Sequence, residues 1–236
     1  MTPTVRINSR RIFIAAVVIS LLLAAGSLTT QFMRVIGGMQ EVPLDHLLNV
    51  DSEGNLPTCF STMLLALAAA LLYVIGSARR SEKSPDGRYW LALSGIFLYL
   101  SIDEAAHLHE MGRSIPQSIV PDWGGIFHRR WVVAAIPAVA VVCIVFFRFV
   151  MRLPKETRRL FLISATMFVG GALGLELVAG VLKHAGVAKP WRIVGETVEE
   201  LCEMNGAILF NYALLRYIAN HLPGIHLNVD TPPEQP

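Results

Sequence analysis

The chain has 236 residues, of which 53% are hydrophobic and only 16% charged. Soluble domains carry about a quarter charged residues. With a mean hydropathy of +0.51, this composition excludes an ordinary water-soluble domain and points to the helical membrane class. The formal net charge of +2 comes without a basic, aromatic-interleaved patch, so nucleic acid is not expected as a partner.

Three arginines, Arg6, Arg10 and Arg11, precede the first apolar run at Ile12. No A-x-A cleavage site follows that run, so it reads as an uncleaved span rather than a signal peptide. Six spans are expected, at 12–30, 59–76, 89–110, 130–150, 160–182 and 191–217. Each approaches the roughly 20 residues that a ~30 Å hydrocarbon core requires, and each should be a helix, since an open strand cannot pair its backbone in lipid. The fold class is therefore all-α: a six-transmembrane-helix bundle forming one domain over 1–221. The segment 222–236 is Pro-rich and polar and reads as a disordered tail.

Basic residues set the orientation. Eleven of them, including Arg79, Arg80, Arg152 and Lys155, fall before span one or in the loops after spans two and four; seven fall on the other side. Both termini are then cytoplasmic. Asn55 or Thr58 can cap span two. Pro137 interrupts span four, and Gly170-xxx-Gly174 in span five allows close helix approach. Cys59, Cys143 and Cys202 show no CxxC spacing and read as small buried hydrophobes.

The stretch Asp103-Glu104-Ala105-Ala106-His107-Leu108-His109-Glu110 breaks this pattern, with five ionisable side chains at the end of an apolar run. A carboxylate in hydrocarbon costs several kcal/mol unless it is paired, protonated or ligated. On a helix turning about 100° per residue, Asp103, His107 and Glu110 fall within about 60° of one another, while Glu104 flanks them and His109 faces away. Span six repeats the i, i+4, i+7 spacing with Glu196, Glu200 and Glu203, flanked by Glu199. The antiparallel order of the two spans puts both stripes in the outer half of the bundle, with Glu176 of span five at the same depth. Taken singly, Glu110, His109, His128 and Glu199 are explained by rim pairing or water. Two facing acidic stripes are not, because crowded carboxylates need a cation or shared protons.

The primary expectation is a metal site made of Asp103, Glu104, His107, Glu110, Glu196, Glu200 and Glu203, with Glu176, Glu199 and His128 as secondary candidates. Glu104-x-x-His107 has the spacing of carboxylate-bridged di-metal bundles. The excess of oxygen over nitrogen favours iron, manganese, zinc or calcium. Such a site would support a metal-dependent membrane enzyme acting on a lipid or a small apolar substrate. A proton- or cation-coupled transporter is the first alternative. An accessory or assembly subunit, joining a membrane complex or a second copy of the chain, is the second.

The segments Asn55-Leu56-Pro57-Thr58-Cys59-Phe60-Ser61, Leu98 to Glu110 and Glu199-Glu200-Leu201-Cys202-Glu203-Met204 resemble a group of bacterial polytopic inner-membrane proteins carrying DExxHxHE and EExxEM motifs. The resemblance spans nearly the whole chain and implies a six-span protein of a bacterial inner membrane, with no activity attached. The chain is more faintly similar to the transmembrane ceramidase and adiponectin-receptor hydrolases. Those enclose zinc with several histidines in seven spans, whereas the later spans here lack an HxxxH pair.

Overall fold

The structure is a computed structural model that describes residues 8–108 and 131–222. Regular structure among the described residues is entirely helical. The helices are α1 (Ser9–Val35), the short α2 (Asp45–Leu48), α3 (Leu56–Ser81), α4 (Gly87–Ala106), α5 (Trp131–Arg152), α6 (Lys155–Val169), α7 (Glu176–His184) and α8 (Lys189–His221). A π-helical segment, Gly170–Leu175, joins α6 to α7 without a break.

Among the described residues, four helices are long and apolar enough to cross a membrane: Ser9–Val35, Leu56–Ser81, Ala134–Arg152 and the continuous Lys155–His184. The remaining long ones, α4 and α8, span 20 and 33 residues, and their carboxylates lower their hydropathy. α8 can carry that polarity because it is the central helix. It packs against α1, α3, α6, α7 and the π segment, and it buries Met204, Ala207, Ile208, Phe210, Ala213 and Leu214. The lipid-type surface belongs to its neighbours: Leu22 on α1, Met63 on α3 and Ile144 on α5 are 66%, 65% and 76% exposed.

The core is densest at the end of the bundle away from the acidic residues. Trp90 is fully buried there, with ring centroids 5.1 Å from Phe149, 5.8 Å from Phe161 and 4.8 Å from Tyr217. Edge-on and tilted pairs of this kind suit the aromatic quadrupole. Polar contacts tie the same end together. Arg79 Nε donates to the Tyr217 hydroxyl at 3.0 Å. Arg152 pairs with Asp86 at 2.6 Å, and Arg216 with Glu156 at 2.7 Å.

Between these ends, buried and half-buried side chains bond across helices. Ser94 Oγ donates to Ala69 O at 2.8 Å and Ser101 Oγ to Thr62 O at 3.0 Å, fixing α4 against α3. Asn211 Nδ2 donates to Leu64 O at 2.9 Å, fixing α8 against α3.

Several boundaries and contacts differ from the sequence reading. Span five starts at Lys155, because the polar turn before Leu160 is already helical. The close approach expected of Gly170 and Gly174 falls instead on Gly171 and Gly206. A Cβ on Gly206 would sit 2.7 Å from Phe168 N and one on Gly171 2.9 Å from Glu203 Cγ, whereas Gly170 and Gly174 have no such neighbour within 4 Å. The reason is helical phase: residue 171 faces α8, and 170 and 174 share another face. Cys59 and Cys143 are exposed rather than buried, and Cys202 is half-buried. Pro137 lies inside α5, which continues through it. The tail beyond 222 lies outside the described residues.

Candidate functional site

The acidic end of the bundle contains a cavity of about 1270 Å³. Four parts of the chain bring carboxylates to it: the turn after α2, the end of α4, the start of α7 and the first half of α8.

The turn comes first in the chain. Ser27, fully buried on α1, accepts the Val50 N–H at 3.0 Å and so pins the segment after α2 to the bundle. Asn55 then folds the segment onto itself. Its Nδ2 donates to Asn49 O and Ser52 O, both at 2.7 Å, while its Oδ1 accepts the Thr58 N–H at 3.1 Å. That last bond is an N-cap for α3, the capping role expected of Asn55 or Thr58. Gly54, at φ +71°, supplies the left-handed residue the turn needs. The outcome is that Asp51 and Glu53 stand at the cavity.

α4 contributes Asp103 and Glu104. The helix ends at Ala106, where it was expected to run to Glu110, because His107 takes a left-handed conformation at φ 54° and caps it. His107 therefore leaves the helical stripe it was expected to share with Asp103. It is not among the cavity-lining residues, and its Nδ1 pairs with a carboxylate oxygen of Glu53. That contact joins the end of α4 to the turn before α3. His109, Glu110 and His128 lie outside the described residues.

α7 contributes Glu176, the residue that follows the π segment, which is only 4% exposed. α8 contributes Glu196, Glu199, Glu200 and Glu203. Glu199 is the most enclosed of these, at 7% exposed. The Gly171 contact lets the π segment press directly on this part of α8, against Glu203 Cγ, Glu199 O and Cys202 Cβ. Two basic side chains, Lys183 and Arg192, also reach the cavity.

The structure thus brings seven of the expected residues to one cavity, Asp103, Glu104, Glu196, Glu200 and Glu203 with the secondary candidates Glu176 and Glu199. It separates His107 from them. Asp51 and Glu53 were not anticipated. Their signal lay in the Asn55 cap, which fixes where the two preceding acids must stand relative to the start of α3.

The described lining holds nine carboxylates (Asp51, Glu53, Asp103, Glu104, Glu176, Glu196, Glu199, Glu200 and Glu203) and two basic side chains. The remaining wall is largely apolar, with Leu65, Leu100, Val139 and Phe168. Such a lining can concentrate cations and hold an apolar group beside them. The carboxylates are spread over the wall. Among the described residues, no three His, Cys, Asp or Glu side chains already stand as a group able to hold one metal ion.

No curated protein and no solved structure matches the chain. A family model does match, over residues 11–218, and it covers both the α4 and the α8 carboxylates. The chain belongs to that family, whose description is "Domain of unknown function (DUF8692)".

Proposed function

We propose that this is a six-helix protein of a bacterial inner membrane, with both termini cytoplasmic, whose acidic cavity near the outer face binds a divalent metal and serves a metal-dependent reaction on a lipid or small apolar substrate. The observation that carries this reading is the described part of the cavity lining, with nine carboxylates from four parts of the chain beside an apolar wall. Inside a membrane so many acids call for a cation. The dispersed arrangement means that an ion must draw two or three carboxylates together by side-chain rotation. Asp103, Glu104, Glu200 and Glu203 are the residues assigned to hold it. Oxygen donors of this kind suit manganese, iron, zinc or calcium. A bound ion would supply Lewis acidity or an activated water.

The six-span reading counts α4 and α8 with the four apolar helices. Its support is that α8 is sheltered on several sides by other helices, so its polar face need not meet lipid.

Elemental analysis of protein purified without chelator tests the reading. Near-stoichiometric metal in the wild type, reduced in Asp103→Asn and Glu200→Gln at unchanged folding, is the expected result. Metal at background in the wild type refutes it.

A specific feature favours coupled transport as a second reading. The cavity lies at one end of the bundle, and the other end is filled by the buried Trp90 aromatic cluster. One-sided access is what one state of an alternating-access carrier requires. Cation- or proton-linked flux in proteoliposomes supports this reading, and its absence across a range of imposed gradients rejects it.

A further inference from the structure

We infer that an anionic phospholipid binds at the aromatic end of the bundle, with its phosphate between Arg88 of α4 and Arg148 and Arg152 of α5 and an acyl chain along the exposed face of α5. The inference is independent of the acidic cavity and rests only on the membrane reading above.

The first observation is a cluster of guanidiniums around one ring. Tyr89 stacks on Phe149 with ring centroids 5.3 Å apart and meets Phe146 edge-on at 6.0 Å, so α5 fixes the ring. Arg88 Cζ lies 5.1 Å from the Tyr89 ring centroid and Arg152 Cζ 5.7 Å, within the range of cation–π attraction. Arg148 stands one helical turn before Arg152. Arg88, Arg148 and Arg152 are all exposed. Arg88 falls in the first turn of α4, where the helix dipole disfavours a cation. Its charge is therefore not explained by the helix that carries it.

The second observation is the charge balance at this end. Among the described residues the acids here are Glu82, Asp86 and Glu156, and each is bridged by an arginine: Arg79, Arg152 and Arg216 in turn. Asp86 neutralises Arg152 in part. Arg88 and Arg148 meet no carboxylate among the described residues. A phosphate completes the cluster, and the planar arginine fork suits it because two N–H groups can donate to it together. The ammonium of a zwitterionic headgroup meets repulsion from the same arginines, so a net negative headgroup is favoured.

The third observation is the surface that adjoins the arginines. Val141, Val145, Arg148 and Arg152 are spaced i, i+4, i+7, i+11 and fall within about 60° of one another on α5. Val141 and Val145 are 59% and 53% exposed, and Ile144 beside them is 76% exposed. α5 is also the least buried of the four apolar helices. One exposed face thus passes from apolar to basic along the helix, in the order of an acyl chain and its phosphate. A soluble phosphate would use only the basic part.

The test uses the full chain in nanodiscs of zwitterionic lipid. The probe is phosphatidylglycerol spin-labelled on its acyl chain, with identically labelled phosphatidylcholine as the reference. Electron paramagnetic resonance reads the motionally restricted fraction of each. The wild type should favour the phosphatidylglycerol by about fivefold or more, and Arg88→Gln/Arg148→Gln should lose most of that preference. Arg10→Gln/Arg11→Gln removes the same charge at the same end from α1, which packs against α8, and should keep the preference. Melting curves verify folding of each variant. Equal restriction of the two lipids in the wild type overturns the inference. Equal loss in both double variants overturns the site and leaves only a diffuse positive field. Displacement of the probe by glycerol phosphate overturns the lipid as the source of the phosphate. Nanodiscs that hold two chains and show no lipid preference assign the patch to a second copy and likewise overturn the proposal. A chain that does not enter nanodiscs refutes the membrane reading itself, whereas one that enters without lipid preference refutes this inference alone.

Discussion

Gly206→Ala is the sharpest test of how α8 is seated. A Cβ at this position would stand 2.7 Å from Phe168 N, 2.9 Å from its Cβ and 3.0 Å from its Cα. Carbon atoms in good contact sit about 3.5–4.0 Å apart, so α6 and α8 must separate by several tenths of an ångström or more. Two of the three atoms met are backbone, so rotating a side chain cannot relieve the clash. Overpacking of this kind costs about 1–3 kcal/mol. The helix-propensity gain of alanine over glycine returns only about 0.5–1 kcal/mol. The two figures leave a net loss of up to about 2.5 kcal/mol, a fall of up to several degrees in melting temperature for a chain of this size. Gly170→Ala and Gly174→Ala serve as controls, because an added methyl meets nothing within 4 Å at either site. They should be neutral, or stabilising by up to about 1 kcal/mol. Thermal unfolding of detergent-purified protein measures all three. A Gly206→Ala protein that melts at or above the wild type, or a Gly170→Ala protein that loses as much, would refute the assigned seam.

Two further substitutions address other contacts. Ser27→Ala removes an acceptor shared by the Val50 N–H and Gln31 Nε2, each at 3.0 Å in a buried site. It should cost about 1–3 kcal/mol and speed amide exchange through residues 49–53, with unchanged exchange there arguing against the tether. Asn211→Ala breaks the 2.9 Å bond to Leu64 O between α8 and α3. A loss of about 0.6–1.7 kcal/mol, the range for interhelical bonds in membrane proteins, is expected in refolding titrations, and a stabilised variant would contradict the contact.

The positions of the helices were legible because apolar length is a strong signal, and Asn55 was readable as a cap from its place before Pro57 and Thr58. The meeting of the α4 and α8 acids was legible from helical spacing together with the antiparallel order of the chain. What sequence could not show was where regular geometry stops. The expected Asp103/His107/Glu110 stripe assumed an unbroken helix, but His107 turns left-handed and pairs with Glu53. Nothing local in Ala105-Ala106-His107 announces that turn, because the partner lies about fifty residues earlier in the chain. The glycine seam was misread for a related reason. A GxxxG spacing identifies a small-residue face without saying which face meets a neighbour. Asp51 and Glu53 were passed over because they sit in a polar loop, where acids are ordinary until a fold carries them to a cavity.

The central claim is that the carboxylates of α4 and α8 act together on a cation in one cavity. Titration of Mn²⁺ into the full-length protein in nanodiscs, followed by electron paramagnetic resonance, tests it most directly. The account predicts saturable binding in the wild type that is weakened by about tenfold or more in both Asp103→Asn and Glu200→Gln. Wild-type protein that leaves the free-manganese signal undiminished would contradict it, as would binding that survives both substitutions.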